Sequence, residues 1–178
     1  MSERSTRVYS LWLVPAPGSS ARRRLQATIT GLAAEHEDAP VFEPHVTVTG
    51  GINGERAALK ETTRALATQT DPLELAFESV RWSTTRHQCV FLLVEPTLAL
   101  VELRQSAREA VGRPNSAYHP HLSLVYSEMD LADRRDVAQS IDMATLPSDI
   151  TCQTVELVET TGSESEWETV VSVLLSNQ

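Results

Sequence analysis

Two short segments of this chain repeat one pattern, His45-Val46-Thr47-Val48-Thr49 and His121-Leu122-Ser123-Leu124-Val125. Each runs histidine, aliphatic, hydroxyl, aliphatic, the alternation of a strand with one polar and one buried face. The histidine and hydroxyl of each copy therefore share one face. The pattern constrains the fold because its surroundings repeat too. Residues 8–14 read as a strand ended by Pro15, and a helix capped by Ser19 or Ser20 runs to about residue 35, with Leu25, Ile29, Leu32 and Ala33 on one face. The first histidine strand follows, then a helix over 55–69 and a strand over 73–82. After a polar hairpin at 83–86 the plan restarts. A strand over 87–95 ends at Pro96, a helix capped by Thr97 carries Leu100, Leu103 and Ala107, and the second histidine strand follows. A polar helix over 130–143 and a strand over 150–159 complete it, and a turn at 160–166 leads to a last strand over 167–175.

The order strand–helix–histidine strand–helix–strand thus occurs twice. It predicts two similar lobes that bring the motif strands together across a pseudo-twofold cleft. At 178 residues, with no low-complexity or linker segment, the chain is expected to form one domain over 1–178.

Charge narrows the function. A protein that grips long nucleic acid is usually basic, because phosphate neutralisation supplies most of the affinity. This chain carries a formal charge of −9, which favours a small nucleotide in a local pocket over a polynucleotide. Cys89 and Cys152 offer neither a disulfide framework nor a metal spacing. No signal-type apolar segment and no apolar run of membrane-spanning length is present, so a reduced, cytoplasmic protein without membrane contact is expected.

Two titratable imidazoles and two hydroxyl donors suit phosphodiester hydrolysis. One imidazole activates water, the other protonates the leaving oxygen, and the hydroxyls donate to the non-bridging oxygens. The pair His119-Pro120-His121 invites a zinc reading, but a third ligand would have to be His45 and no carboxylate or cysteine follows a ligand spacing. No metal and no cofactor is expected. His36 reads as an exposed helix end, and His87 in the hairpin is ambiguous. There is no nucleophile elbow, no glycine-rich phosphate loop and no dinucleotide fingerprint.

The motif pair resembles that of the 2H phosphoesterase superfamily. The strings Val8-Tyr9-Ser10-Leu11-Trp12, Gln88-Cys89-Val90-Phe91-Leu92-Leu93, Tyr118 with Pro120, Val125-Tyr126 and Trp167-Glu168-Thr169-Val170 resemble its plant- and yeast-type cyclic phosphodiesterases across nearly the whole chain. The resemblance implies an α+β, bilobal fold with two antiparallel sheets lining a central cleft and helices outside. It implies metal-independent opening of ADP-ribose 1″,2″-cyclic phosphate to ADP-ribose 1″-phosphate and of nucleoside 2′,3′-cyclic phosphates to 2′-phosphates; a monomer is expected. His45 and His121 match the catalytic histidines, Thr47 and Ser123 the phosphate-binding hydroxyls, and Tyr126 a tyrosine at the phosphate.

Strict alternation objects to Tyr126, which lies five residues after His121 and reaches the site only if the strand ends or bulges first. Trp12 is either a stacking surface for a base or a core residue. Plant relatives carry aromatic residues where this chain has Thr85-Arg86-His87, so Arg86 is expected to meet a pyrophosphate. The alternatives are a 2H enzyme acting on RNA ends and a non-catalytic nucleotide-binding protein.

Overall fold

A computed structural model describes residues 7–176. Its strands and helices run β1 (Tyr9–Pro15), α1 (Ser20–Glu35), β2 (Val46–Ile52), α2 (Arg56–Ala67), β3 (Leu73–Trp82), β4 (Val90–Val94), α3 (Leu98–Ala110), β5 (His121–Val125), α4 (Leu131–Ser140), β6 (Asp149–Glu159) and β7 (Glu168–Leu174). Local chemistry sets the boundaries. The Ser19 hydroxyl accepts from Arg22 N at 3.1 Å and the Thr97 hydroxyl from Leu100 N at 3.2 Å, so each satisfies a free amide at a helix start. Helix α4 is shorter than expected. It stops at Ser140, and Asp142 then caps a separate 3₁₀ turn, Met143–Thr145, by accepting from Ala144 N at 2.9 Å.

All strand pairs are antiparallel, in the order β1-β2-β5-β4-β3-β6-β7, and an additional β1–β6 pairing closes the first six strands into a ring. Where two separate sheets were expected, hydrogen bonding joins them into one closed barrel with β7 on its flank. The joins are narrow. Strands β2 and β5 meet at the single pair Val46↔Leu122, and β3 meets β6 at Leu73↔Cys152 through Ala76↔Asp149. Exchanging the two halves maps the β1–β2 pairing onto β4–β5 and the β3–β4 pairing onto β6–β1. Helix packing follows the same exchange: α1 lies against β5, α3 against β2, α2 against β6 and α4 against β3. The helix of each half thus covers the motif strand of the other.

The strand alternation separates core from site. Leu11, Leu13, Val46, Val48, Leu122 and Leu124 are buried in one cluster with Leu25, Ile29, Leu100 and Leu103 of the helices. Each fully buried aliphatic side chain contributes about 1.5–3 kcal/mol in transfer free energy. On the opposite face, alternate residues Ser10, Trp12, Thr47, His121 and Ser123 line a cavity. No described helix is long and apolar enough to cross a membrane.

Candidate active site

The pair Val46↔Leu122 sits between the two motifs. In antiparallel register about it, His45 falls across from Ser123 and Thr47 across from His121, so each imidazole faces the hydroxyl of the other motif. Together with Ser10, Trp12, His87, Tyr126, Thr160 and Trp167 these four line a cavity of about 250 Å³. None of the lining residues is Lys, Arg, Asp or Glu.

Both motif histidines are oriented by the same device. His45 Nδ1 lies 2.7 Å from the Glu43 carbonyl, and His121 Nδ1 lies 2.9 Å from the His119 carbonyl, each two residues back in the chain. A carbonyl only accepts, so Nδ1 carries the proton in both rings and Nε2 is the nitrogen that keeps a free lone pair in the neutral ring. The prolines at 44 and 120, the intervening residues, fit an extended approach to each strand.

Beyond this the two surroundings diverge. His45 is buried, stacked on Trp12 with centroids 3.7 Å apart and planes 12° apart, and edge-on to Phe42. Its Nε2 accepts from the Tyr126 hydroxyl at 3.4 Å. Burial away from water pushes its pKa down to about 4, reinforced by the charges His121 and His87 can carry and opposed by the Glu43 carbonyl. His121 is half-buried, with the Gln88 amide 3.3 Å from its ring nitrogens and the Phe91 ring at its edge. Its pKa is lowered too, mainly by desolvation.

Tyr126 reaches the cavity through the route that alternation demands. The register shifts between Val90↔Val125 and Phe91↔Ser123, leaving one extra residue in β5, and the strand then ends at Val125. Leu124 and Val125 are both buried in apolar clusters, and Tyr126 returns to the polar face. Phe42 stacks on its ring at 3.9 Å. Burial, with Glu164 nearby, raises its pKa, so the hydroxyl stays protonated and can donate. The Ser123 hydroxyl donates to the His87 carbonyl at 2.7 Å, and the Thr47 carbonyl accepts from the Tyr118 hydroxyl at 2.9 Å. Trp12 is both wall and packing residue: it lines the cavity while its face is taken by His45.

Arg86 corrects the expectation placed on it. It does not line the cavity. Its guanidinium is held by Glu164 Oε1 at 3.0 Å, Asp38 Oδ2 at 3.2 Å and the Asp38 carbonyl at 3.0 Å, leaving little to offer a pyrophosphate. Its neighbour His87 faces the cavity instead. The β3–β4 connection covers 83–89, longer than the hairpin expected, so His87 and Gln88 stand outside the ladder with their side chains free to turn inward. Ser10, Thr160 and Trp167 were also not anticipated at the site. Ser10 and Trp167 lie in strings that carried the resemblance, Ser10 with the spacing to Trp12 that shares a face; Thr160, just past the end of β6, left no signal.

The connection is braced from beneath. Arg134 of α4 is 3% exposed and donates to the carbonyls of Ser83 (2.9 Å), Thr85 (2.7 Å), Ser127 (3.1 Å) and Met129 (2.9 Å). One buried guanidinium thereby ties the His87 loop to the segment that follows Tyr126.

Comparison with known proteins places these features. The family model described as cyclic phosphodiesterase-like protein matches residues 8–175. The chain is 27% identical over 174 residues to a 2′,3′-cyclic-nucleotide 3′-phosphodiesterase of Yarrowia lipolytica, covering 75% of this chain and 81% of that one. It is 26% identical over 140 residues to a cyclic phosphodiesterase of Arabidopsis thaliana, covering 78% and 76%. Among solved structures, Escherichia coli LigT in apo form matches with a TM-score of 0.65 at 14% identity, over 97% of this chain and 99% of that one. A Thermus thermophilus protein, TT0787, matches with a TM-score of 0.66 at 13% identity, over 96% and 99%. These two likenesses are likenesses of fold.

Proposed function

This chain belongs to the cyclic phosphodiesterase-like family, a family of hydrolases, and we propose that it opens nucleoside 2′,3′-cyclic phosphates to 2′-phosphates and ADP-ribose 1″,2″-cyclic phosphate to ADP-ribose 1″-phosphate, without a metal. The observation that carries this reading is the matched pair of imidazoles. Each is locked by its Nδ1 proton on a carbonyl two residues back, and both line one cavity with Thr47 and Ser123. The two halves are related by a pseudo-twofold axis through the Val46–Leu122 pair, which the exchange of strand pairings supports.

In the reaction a water oxygen attacks phosphorus in line with the ring oxygen that leaves. One Nε2 takes a proton from the water, and the other imidazole, entering as imidazolium, gives its proton to the departing oxygen. One P–O bond forms, one breaks, and one water is consumed. Thr47, Ser123 and Tyr126 donate to the non-bridging oxygens, where negative charge grows at the transition state. Ser123 must release the His87 carbonyl to do so. Trp12 keeps His45 in place by covering its face.

Phosphorus NMR of the products from ADP-ribose 1″,2″-cyclic phosphate and the four nucleoside 2′,3′-cyclic phosphates, with and without EDTA, tests this. The expected result is a single phosphomonoester from each accepted substrate at a rate that EDTA leaves unchanged. Absence of turnover on all of them, or rates abolished by EDTA and restored by a divalent ion, would overturn it.

A further inference from the structure

A third imidazole lines the cavity. The His87 ring stands edge-on to Tyr126 at 4.9 Å and 87°, lies 5.7 Å from Trp167, and places Nε2 at 3.1 Å from Glu164 Oε1. Its side chain is 55% exposed, so core packing does not account for this order, and fixing an exposed side chain costs conformational entropy. The rim that holds it is braced twice. Arg134 anchors the incoming side of the loop at the Ser83 and Thr85 carbonyls, and Arg86 joins Glu164 to Asp38, which itself accepts from the Ser127 hydroxyl at 2.7 Å and Glu128 N at 2.7 Å.

Among the described residues the cavity wall carries no lysine or arginine, so the cationic groups it can offer an anionic ligand are its imidazoles. Among the described residues, His87 is the one of the three cavity imidazoles that has a carboxylate against it. With Nε2–H donated to Glu164, its Nδ1 has no partner among the described residues.

We infer that His87 is a third substrate-contacting imidazole, oriented by Glu164 at Nε2, whose Nδ1–H, present when the ring carries both protons, is donated to an anionic oxygen of the phosphate ester in the cavity. The inference rests on the phosphodiesterase reading for the identity of the ligand. The groups facing His87 are Glu164 from the turn before β7, Arg86 from its own loop with Asp38 behind it, Tyr126 after β5, and His45, with His121 lining the same cavity. Hydrolysis turns a monoanionic diester into a monoester with a second ionisation near neutral pH, so the same contact acts on the product as well as the substrate.

The test compares wild type, His87→Ala, His87→Gln and Glu164→Gln. Steady-state kinetics with a nucleoside 2′,3′-cyclic phosphate are followed from about pH 5.5 to about pH 8.5, beside calorimetric binding of 2′-AMP, a phosphomonoester probe. A charge-assisted hydrogen bond predicts that His87→Ala raises KM and weakens 2′-AMP binding by about tenfold at the acid end, with kcat changed far less. His87→Gln keeps the size and a donor but loses most of the pH dependence of binding. Glu164→Gln removes the carboxylate that orients the ring and weakens 2′-AMP binding in the same direction as His87→Ala. Unchanged 2′-AMP binding and pH dependence in His87→Ala, or a loss confined to kcat, would overturn the assignment. A wild type that binds 2′-AMP through His87 yet turns over no cyclic phosphate would overturn the proposed reaction and leave the contact standing.

Discussion

The Tyr126 hydroxyl points at His45 Nε2 from 3.4 Å, the nitrogen left free by the Nδ1 contact with the Glu43 carbonyl. The tyrosine therefore donates to His45 before substrate arrives and is close enough to transfer that donation to a phosphate oxygen. Tyr126→Phe keeps the Phe42 stack and removes one hydroxyl. The expected result is a kcat roughly tenfold lower, in line with the loss of one hydrogen bond to a charged transition state, with an unchanged circular dichroism spectrum. A rate equal to wild type would remove Tyr126 from the reaction.

His45→Ala and His121→Ala should each lower kcat/KM by about 10²–10⁴, the usual worth of a positioned acid or base. Because the proposed reaction uses the two on one proton inventory, the double variant should fall little below the weaker single one. Multiplicative losses in the double variant would mean that the imidazoles act independently.

Burial of His45 also has a stability consequence. Its folded pKa is about 4 against an ordinary 6.5, so between these values the unfolded chain binds the extra proton and the folded chain resists it. Stability therefore falls as pH drops from 6.5 toward 4, by up to about 3 kcal/mol at the bottom of the window, and this group leaves it flat above. Urea unfolding of wild type and His45→Gln at about pH 7 and about pH 5 measures the difference. The variant should lose less stability on acidification; equal losses in both proteins would show that His45 titrates normally.

Arg134→Met replaces a guanidinium with an apolar side chain and orphans four carbonyls. We expect a loss of about 3 kcal/mol or more, read as a thermal midpoint lower by roughly 10 °C, because buried acceptors without partners carry their desolvation penalty. KM should rise as well, since the Ser83 and Thr85 carbonyls are what fix the loop bearing His87 and Gln88. A variant of wild-type stability would show that water replaces the guanidinium at no cost.

Much of this was legible because it follows from periodicity. The motif strands, the caps at Ser19 and Thr97 and the faces of α1 and α3 all lie where spacing and hydroxyl placement put them. His45, Thr47, His121 and Ser123 share a face for the same reason. What escaped depended on non-local geometry. Ring closure is decided by β1 meeting β6, a pairing of residues far apart in sequence. The bulge that returns Tyr126 to the site is a register event between β4 and β5, with no local residue to announce it. Arg86 and His87 are adjacent, and which of them faces the cavity is settled by Asp38 and Glu164, carboxylates from two other loops.

The two copies of the motif are chemically alike, and by themselves they would accept a cyclic phosphate in either of two orientations. The walls remove that freedom. One imidazole is sealed by Trp12, Phe42 and Tyr126, while the other is half-open beside Gln88 and Phe91. A substrate whose two ester oxygens differ, one on each side of phosphorus, meets an asymmetric enclosure built around a symmetric pair. On the proposed reaction, the regiochemistry of ring opening becomes a property of the aromatic and amide lining, so that exchanging residues at Trp12 or Gln88 should bear on which monoester is released as much as on how fast.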